Sequence, residues 1–384
     1  MIRIRGNPLL HFVDRYAGIP AVTLLGRARF KRTLPSTIQS IGILKAGAIG
    51  DTVLISAVVR DLRAAFPHAS VVFFSGESNF EIASLLEGVD QVVKLSVTNL
   101  VADWKSIRSV AVDVMLDFGQ WSRMEALFSL YSRAAFTVGF CTPGQHRHCG
   151  YDVSVAHLPE VHELTNFRRL ANALGVKTQN LPLLRTAPRD FPLAREYAVF
   201  HLWPGGSRRK LKEWPLDRWL LLIEQFATWD IPVILTGAPS DRDCNNRLMA
   251  GVSSHVRGFV KNAAGLVLKE TAETLAGAML VVSVDTGLMH MAAALGVPLV
   301  ALHGPTSSKR WGPVSDSAVV VESPAEGCGY ISLGWEESPE LPACMDCITY
   351  EIVRDVCLEI LEKHDRFTQG KVETRRYAQV LENP

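Results

Sequence analysis

Residues 279–305 read MLVVSVDTGLMHMAAALGVPLVALHGP, and this stretch decides the fold. Residues 279–284 form a short apolar run, rich in valine and bounded by polar residues, which predicts a strand buried on both faces. Asp285 and Thr286 then supply N-cap chemistry, residues 288–295 favour helix, and Gly296 with Pro298 just beyond closes it. A second apolar run, 297–302, predicts a strand ending in His303-Gly304-Pro305-Thr306. Strand, tight turn, helix and strand in that order make a parallel unit with a right-handed crossover. At the turn, Gly287 admits close approach to the backbone, and the opening N–H groups of the helix attract phosphate. Thr286 and His290 lie four apart and share one face of that helix. The same pattern also fits an ordinary capped helix with a satisfied histidine, and spacing alone favours that plainer reading.

The alternation continues upstream. A first series runs through a strand at 40–44, the loop Lys45-Ala46-Gly47-Ala48-Ile49-Gly50-Asp51-Thr52, and a helix from about 52 to 66. Strands at 70–74, 91–95 and 112–117 follow, separated by helices at 79–86, 99–109 and 123–132. A second series begins with a strand at 198–202 and the loop Trp203-Pro204-Gly205-Gly206-Ser207-Arg208-Arg209-Lys210-Leu211-Lys212. Pro215 opens its helix, which runs to about 228; a strand at 232–236 and helices near 244–249 and 272–277 lead into the unit quoted above. The class is therefore α/β, with two Rossmann-like halves facing a central cleft and ligands bound beyond the carboxyl ends of the strands. The proline-rich span 181–191 predicts a linker, dividing 37–186 from 187–384. Residues 139–159 read as loop.

The chain has 384 residues, 48% hydrophobic and 21% charged, with a net charge of +1. These values describe a soluble globular protein with core for two domains, and give no reason to expect nucleic acid. No apolar run reaches membrane-spanning length, and no signal peptide is legible. Seven cysteines, odd in number and unevenly spread, do not resemble an extracellular disulfide framework. A cytoplasmic setting is the expectation. Residues 1–36 differ from the rest, with seven basic side chains against the single acid Asp14 and apolar residues such as Phe12, Tyr16, Leu24 and Phe30 between them. Such a segment suits either the surface of an anionic membrane or docking on the adjoining domain.

Three clusters carry potential chemistry. Asp51 follows Gly50 at a helix start on the cleft side of the first sheet, where a carboxylate can take a proton from a substrate hydroxyl; an N-cap role explains it equally simply. Gly205-Gly206-Ser207 with Arg208, Arg209, Lys210 and Lys212 forms a flexible cationic loop suited to a diphosphate, or a solvated turn. Cys141, His146, His148, Cys149 and His157 in one cluster, and Cys328, Cys344, Cys347 and Cys357 in another, match no standard zinc spacing. For the second cluster, reduced thiols packed beneath the C-terminal helix are expected.

Several of these motifs occur in one order. Ile43-Leu44-Lys45 leads to Gly50-Asp51-Thr52, followed by Pro204-Gly205-Gly206-Ser207 with Lys212-Glu213-Trp214-Pro215. Next come Thr236-Gly237-Ala238-Pro239, then Ser283-Val284-Asp285-Thr286-Gly287-Leu288-Met289-His290, and finally Gly304-Pro305-Thr306. Over about residues 38–360 this resembles glycosyltransferase family nine, the lipopolysaccharide heptosyltransferases. The resemblance implies a GT-B fold with the acceptor site in the first domain and the sugar nucleotide in the second. It also implies an inverting, metal-independent transfer without a cofactor, usually from ADP-heptose to a lipopolysaccharide core. By motif, Asp51 is then the general base and Lys212 meets the donor phosphates. Gly205, Gly206, Ser207, Asp285, Thr286, Gly287, His290 and Gly304 line the donor site, with Asp241 a looser match to a ribose-binding acid. Glu213, where relatives often carry a basic or aromatic residue, and the N-terminal extension depart from the pattern. A sugar-nucleotide epimerase or hydrolase on the same fold, or a non-catalytic sugar-nucleotide-binding protein, are the alternatives.

Overall fold

The computed structural model describes residues 8–189, 196–206, 208–331 and 343–363. Two helices, α1 (Pro8–Tyr16) and α2 (Gly18–Arg27), precede the first sheet. That unit then runs β1 (Ser40–Lys45), α3 (Ile49–Ala65), β2 (Ser70–Gly76), α4 (Phe80–Ala83), β3 (Gln91–Leu95) and α5 (Leu100–Ser109). It continues β4 (Ala111–Asp117), α6 (Arg123–Tyr131), β5 (Arg133–Cys141), β6 (Val153–Ala156) and α7 (Glu163–Asn172). The second unit starts β7 (Ala198–His201), α8 (Leu216–Thr228), β8 (Val233–Thr236), α9 (Arg242–Gly251), β9 (Val260–Asn262) and α10 (Leu268–Ala276). It ends β10 (Leu280–Val284), α11 (Gly287–Ala294), β11 (Leu299–His303), α12 (Ser308–Trp311), β12 (Ala318–Glu322) and α13 (Tyr350–Lys363).

The sheets are ordered β3-β2-β1-β4-β5-β6 and β12-β11-β10-β7-β8-β9, and every pair is parallel. Each sheet therefore has its first strand in the middle, flanked by its second and fourth. The winding direction reverses between β1 and β4, and between β7 and β10, so a crevice opens at the carboxyl ends of each pair. Register aligns those ends: Leu44 pairs with Asp117, and His201 with Ser283. β10 and β11 are buried along their whole length, in keeping with their predominantly apolar sequences.

Three departures from the sequence reading matter. Span 139–159 holds the end of β5 and all of β6, because Gly139 lets the Tyr151 ring lie against the strand where a Cβ would sit 2.2 Å from a ring carbon. Asp152 then ties the two strands, accepting from the Thr137 amide at 2.8 Å and its hydroxyl at 2.9 Å. The edge strands β9, of three residues, and β12 are further additions to the sequence reading. Finally, α3 starts about three residues earlier than expected, at Ile49, which draws Asp51 into its first turn.

The two units share one buried cluster, while the other face of each sheet packs on a cluster of its own. A single buried cluster runs from Ile43, Val53, Ile55 and Val58 in the first unit to Met289, Met291 and Ala292 in the second. α11 is buried on nearly every side, as a helix apolar all round must be. It meets α3 start to start. A Cβ on Gly287 would lie 2.8 Å from Ile49 Cβ and 3.2 Å from the Gly50 nitrogen, and one on Gly50 would lie 2.7 Å from the His290 ring. Gly287→Ala is therefore expected to lower stability by about 1–3 kcal/mol, the usual cost of an overpacked methyl group. Urea denaturation beside the wild-type protein measures it, and an unchanged midpoint refutes the close apposition.

Candidate active site

The loop after β1 is built to hold its shape. Its backbone turns at Ala48, whose φ of +69° lies in the left-handed region that L-residues other than glycine seldom occupy. Gly76 permits the Ala46 carbonyl to come so close that any Cβ there would collide with it. The Glu125 carboxylate accepts from the Ala46 amide at 2.8 Å, while the Asn79 amide donates to the Lys45 carbonyl and the Thr52 hydroxyl, both at 2.9 Å. Behind it, Arg147 pairs with Asp117 at 3.0 Å with both side chains fully buried. The loop is fixed before any ligand arrives.

Asp51 is not the N-cap of α3; that position is Ala48, with no side-chain cap. Its carboxylate instead points back to the strand ends, 2.6 Å from Lys45 Nζ, and accepts from Gln120 Nε2 at 3.0 Å. Gln120 follows β4 and ties these groups together, accepting from Lys45 Nζ at 2.6 Å and donating to Glu163 at 3.1 Å. Glu163 also bonds His157 at 2.9 Å and pairs with Arg310 of the second unit at 2.9 Å. Burial pushes the Glu163 carboxyl up, yet the His157 bond and the charges of His157 and Arg310 hold it below the ordinary glutamate value. A second bridge between the units joins His162 Nε2 to the Gly312 carbonyl at 3.0 Å. Lys45 stood in the sequence motif without a role. Gln120, Glu163 and Arg310 went unnoticed, since their partners lie 43 to 147 residues away; only Gln120's place beyond a switch-point strand hinted at a site.

Facing this cluster, Lys212 spans from its short 3-10 turn to the end of β10, 3.5 Å from the Asp285 carboxylate and donating to the Asp285 carbonyl at 3.3 Å. Burial raises the Asp285 carboxyl, but Lys212, His303, His290 and the Thr306 hydroxyl together hold it below the usual aspartate value. Thr286 is the N-cap of α11, its hydroxyl accepting from the Leu288 amide at 3.2 Å and the Met289 amide at 3.5 Å. The cap thus takes up the Leu288 and Met289 amides at the start of the helix. Burial drives His290 down to about 4 against the pull of Asp285 and Asp51, so the ring is neutral at pH 7 and lies between the two acids. His290 Nδ1 and His303 Nε2 are buried with no hydrogen-bond partner among the described residues.

The other expected donor residues have distinct surroundings. Gly205 and Gly206 are exposed with open space where a Cβ would project, and Gly206 has φ +85°. Ser207 lies outside the described residues. Asp241 sits beyond β8 with its carboxylate turned onto its own loop, accepting from the Ala238 amide at 2.9 Å. Gly304 makes room for Met345, whose sulfur would lie 2.5 Å from a Cβ there. Gly329 also donates to the Gly304 carbonyl, at 3.0 Å. Two segments converging on Gly304 bring Cys328 and Cys344 to a Cα separation of 5.8 Å and join them in a disulfide, correcting the expected reduced thiols at that pair. Among the described residues, no three His, Cys, Asp or Glu side chains gather as a metal site.

The model of Glycosyltransferase family 9 (heptosyltransferase) matches residues 102–330, more than half the chain. The chain belongs to this family. Lipopolysaccharide heptosyltransferase 2 of Salmonella typhimurium is 35% identical over 133 residues, a stretch covering 34% of this chain and 38% of that relative. Among solved structures, Escherichia coli ADP-heptose lipopolysaccharide heptosyltransferase II aligns with a TM-score of 0.69 at 21% identity, covering 84% of this chain and 99% of that one. A family 9 glycosyltransferase from Veillonella parvula aligns at 0.70 with 18% identity, covering 87% and 100%. The fold is accordingly GT-B.

Two outcomes test the site's electrostatics. Arg310→Met leaves Glu163 buried with its interdomain partner gone, so stability is expected to fall by about 3–5 kcal/mol in urea denaturation. His290 and His201 both fold with values near 4 through burial, below the roughly 6.5 of an unfolded histidine. The unfolded state therefore takes up their protons first, and stability falls as pH drops from about 6.5 towards 4, by about 1.4 kcal/mol per pH unit for each ring. Urea midpoints across that range, for wild type and His201→Gln, should show the variant losing one histidine's share of the slope.

Proposed function

We propose that the protein is an inverting glycosyltransferase that moves heptose from ADP-heptose to a lipopolysaccharide-core or related glycolipid acceptor. One observation carries this reading: Asp51 of the first unit and the Lys212–Asp285–His290 group of the second converge where α3 meets α11. Family membership supplies the reaction class, and the E. coli neighbour is described as an ADP-heptose enzyme.

In this mechanism Lys45 and Gln120 aim the Asp51 carboxylate. Asp51 removes the proton from an acceptor hydroxyl as its oxygen attacks the anomeric carbon. The new C–O bond forms on the face opposite the departing group, so configuration inverts. The bond to the diphosphate oxygen breaks, and its electron pair leaves as added negative charge on the nucleoside diphosphate. Lys212 and the start of α11 stabilise that charge, assisted by the open Gly205–Gly206 backbone. Neutral His290 can offer or accept a hydrogen bond without adding charge, and Asp241, beyond β8, is the candidate ribose contact. With cations and a helix start handling the leaving group, the transfer proceeds without a metal. A nucleotide-sugar donor and a glycolipid acceptor fit a cytoplasmic enzyme working at the inner membrane.

Asp51→Asn should keep ADP-heptose affinity in calorimetry and lose about 10²–10⁴-fold in turnover. Lys212→Ala should weaken ADP binding and slow transfer together, since a charge-assisted bond to the leaving group is lost. EDTA should leave the wild-type rate unchanged. Near-normal turnover in Asp51→Asn would falsify the mechanism. Mass spectrometry of the product separates transfer from the alternatives: a free sugar marks a hydrolase, and an altered nucleotide sugar an epimerase.

A further inference from the structure

We infer that the N-terminal helix pair is a docking platform for an anionic phospholipid surface. Both helices are held to the first unit by one side only. On α1, Asp14 accepts from the Arg123 amide and pairs with its guanidinium, both at 2.8 Å. On α2, Val22 is fully buried, Gly18 lies against Arg123, and Gly26 against the Cys149 carbonyl. Arg29 and Arg32 complete the docking, at 2.7 and 2.9 Å from Asp152.

The opposite side is apolar. Two residues on either side of Asp14, Phe12 and Tyr16 point about 160° away from it around α1, and their rings lie 4.4 Å apart. Leu24 stands in the same relation to Val22 on α2. These side chains are 59%, 61% and 69% exposed, and Phe30, just beyond, is 93% exposed. So many large apolar groups on one outward face mark an interaction surface rather than scattered exposure.

Charge names the partner. Arg15, Arg27 and Lys31 are exposed and make no ion pair among the described residues, and the sole acid of the segment, Asp14, is already matched to Arg123. A cavity of about 280 Å³ between residues 26–31 and 148–152 is lined by Arg27, Lys31, Phe30 and His148 and by Asp152, whose carboxylate is already paired with Arg29 and Arg32, so its cations outnumber its acid. Apolar side chains set among unpaired cations are the composition that inserts into an anionic interface. Position fits as well. α1 is bonded to Arg123 at the first turn of α6, three residues after Gln120, which orients Asp51. The platform thus borders the side of the cleft assigned to a lipid-linked acceptor. The inference stands independently of sugar transfer, because vesicle binding is read without turnover.

The test is co-sedimentation of the full chain with vesicles of phosphatidylcholine alone or mixed with phosphatidylglycerol at roughly 2:1. Binding is expected only to the mixed vesicles and should weaken as salt rises from about 50 to about 500 mM. Replacing Arg15, Arg27 and Lys31 by Gln should reduce affinity about a hundredfold. Replacing Phe12, Leu24 and Phe30 by Ser should also weaken it, with the melting temperature held in both variants. The charge set removes no ion pair among the described residues and no buried side chain, so a folding defect in the apolar set would not remove the test. No binding, equal binding to both vesicle types, or unchanged binding by the charge variant overturns the inference. So does a dimer in sedimentation velocity that dissociates in the apolar variant, which would assign the face to a second copy of the chain.

Discussion

Everything in this molecule depends on how closely α3 can approach α11. Each helix begins at the carboxyl edge of its own sheet, and the two starts meet through glycines: Gly287 against Ile49, and Gly50 against the His290 ring. Side chains at either glycine would hold the sheets apart. Their contact carries one buried cluster across from unit to unit and sets the Asp51 carboxylate beside the Lys212–Asp285–His290 group. The geometry that joins the domains is thus the geometry that assembles the site.

Charge is buried at this junction on both sides. Asp51, Glu163 and Asp285 would be costly as isolated anions, and each is matched by a cation: Lys45, Arg310 and Lys212. Gln120 links the first two pairs through its amide, satisfying groups the ion pairs leave over. Such a network contributes less to net stability than to specifying one arrangement, which is what a reaction needing two aligned partners requires. The histidines follow the same logic in reverse, because burial keeps His290 neutral against the pull of Asp285 and Asp51, and burial likewise keeps His201 neutral.

The N-terminal pair divides its resources by side. Arg29, Arg32 and Asp14 fasten it inward, while Arg15, Arg27, Lys31 and four large apolar side chains face outward. The two readings that sequence left open, docking on the domain and contact with a membrane, therefore need not compete: the inner face supports the first, and the outer face has the composition the second requires.

Sequence alone determined the periodic parts. Predominantly apolar runs at β1, β4, β10 and β11 pointed to strands covered on both faces, and Thr286 with Gly296 bracketed α11 by local chemistry. The order of glycine and aspartate motifs was likewise legible, because a motif carries its chemistry within a few residues. Tertiary structure decided what depends on distant partners. β5 and β6 form because Tyr151 and Asp152 close on Gly139 and Thr137, not because their own residues alternate. Asp51 escaped its plainer role as a cap only once Lys45 and Gln120 stood beside it, and Gly304 proved to face Met345, 41 residues further on. The disulfide arose the same way, from two segments converging on one glycine. Local sequence fixes periodicity and turns, since both are short-range properties of the chain; hydrogen bonds and ion pairs across tens of residues exist only after the sheets have packed.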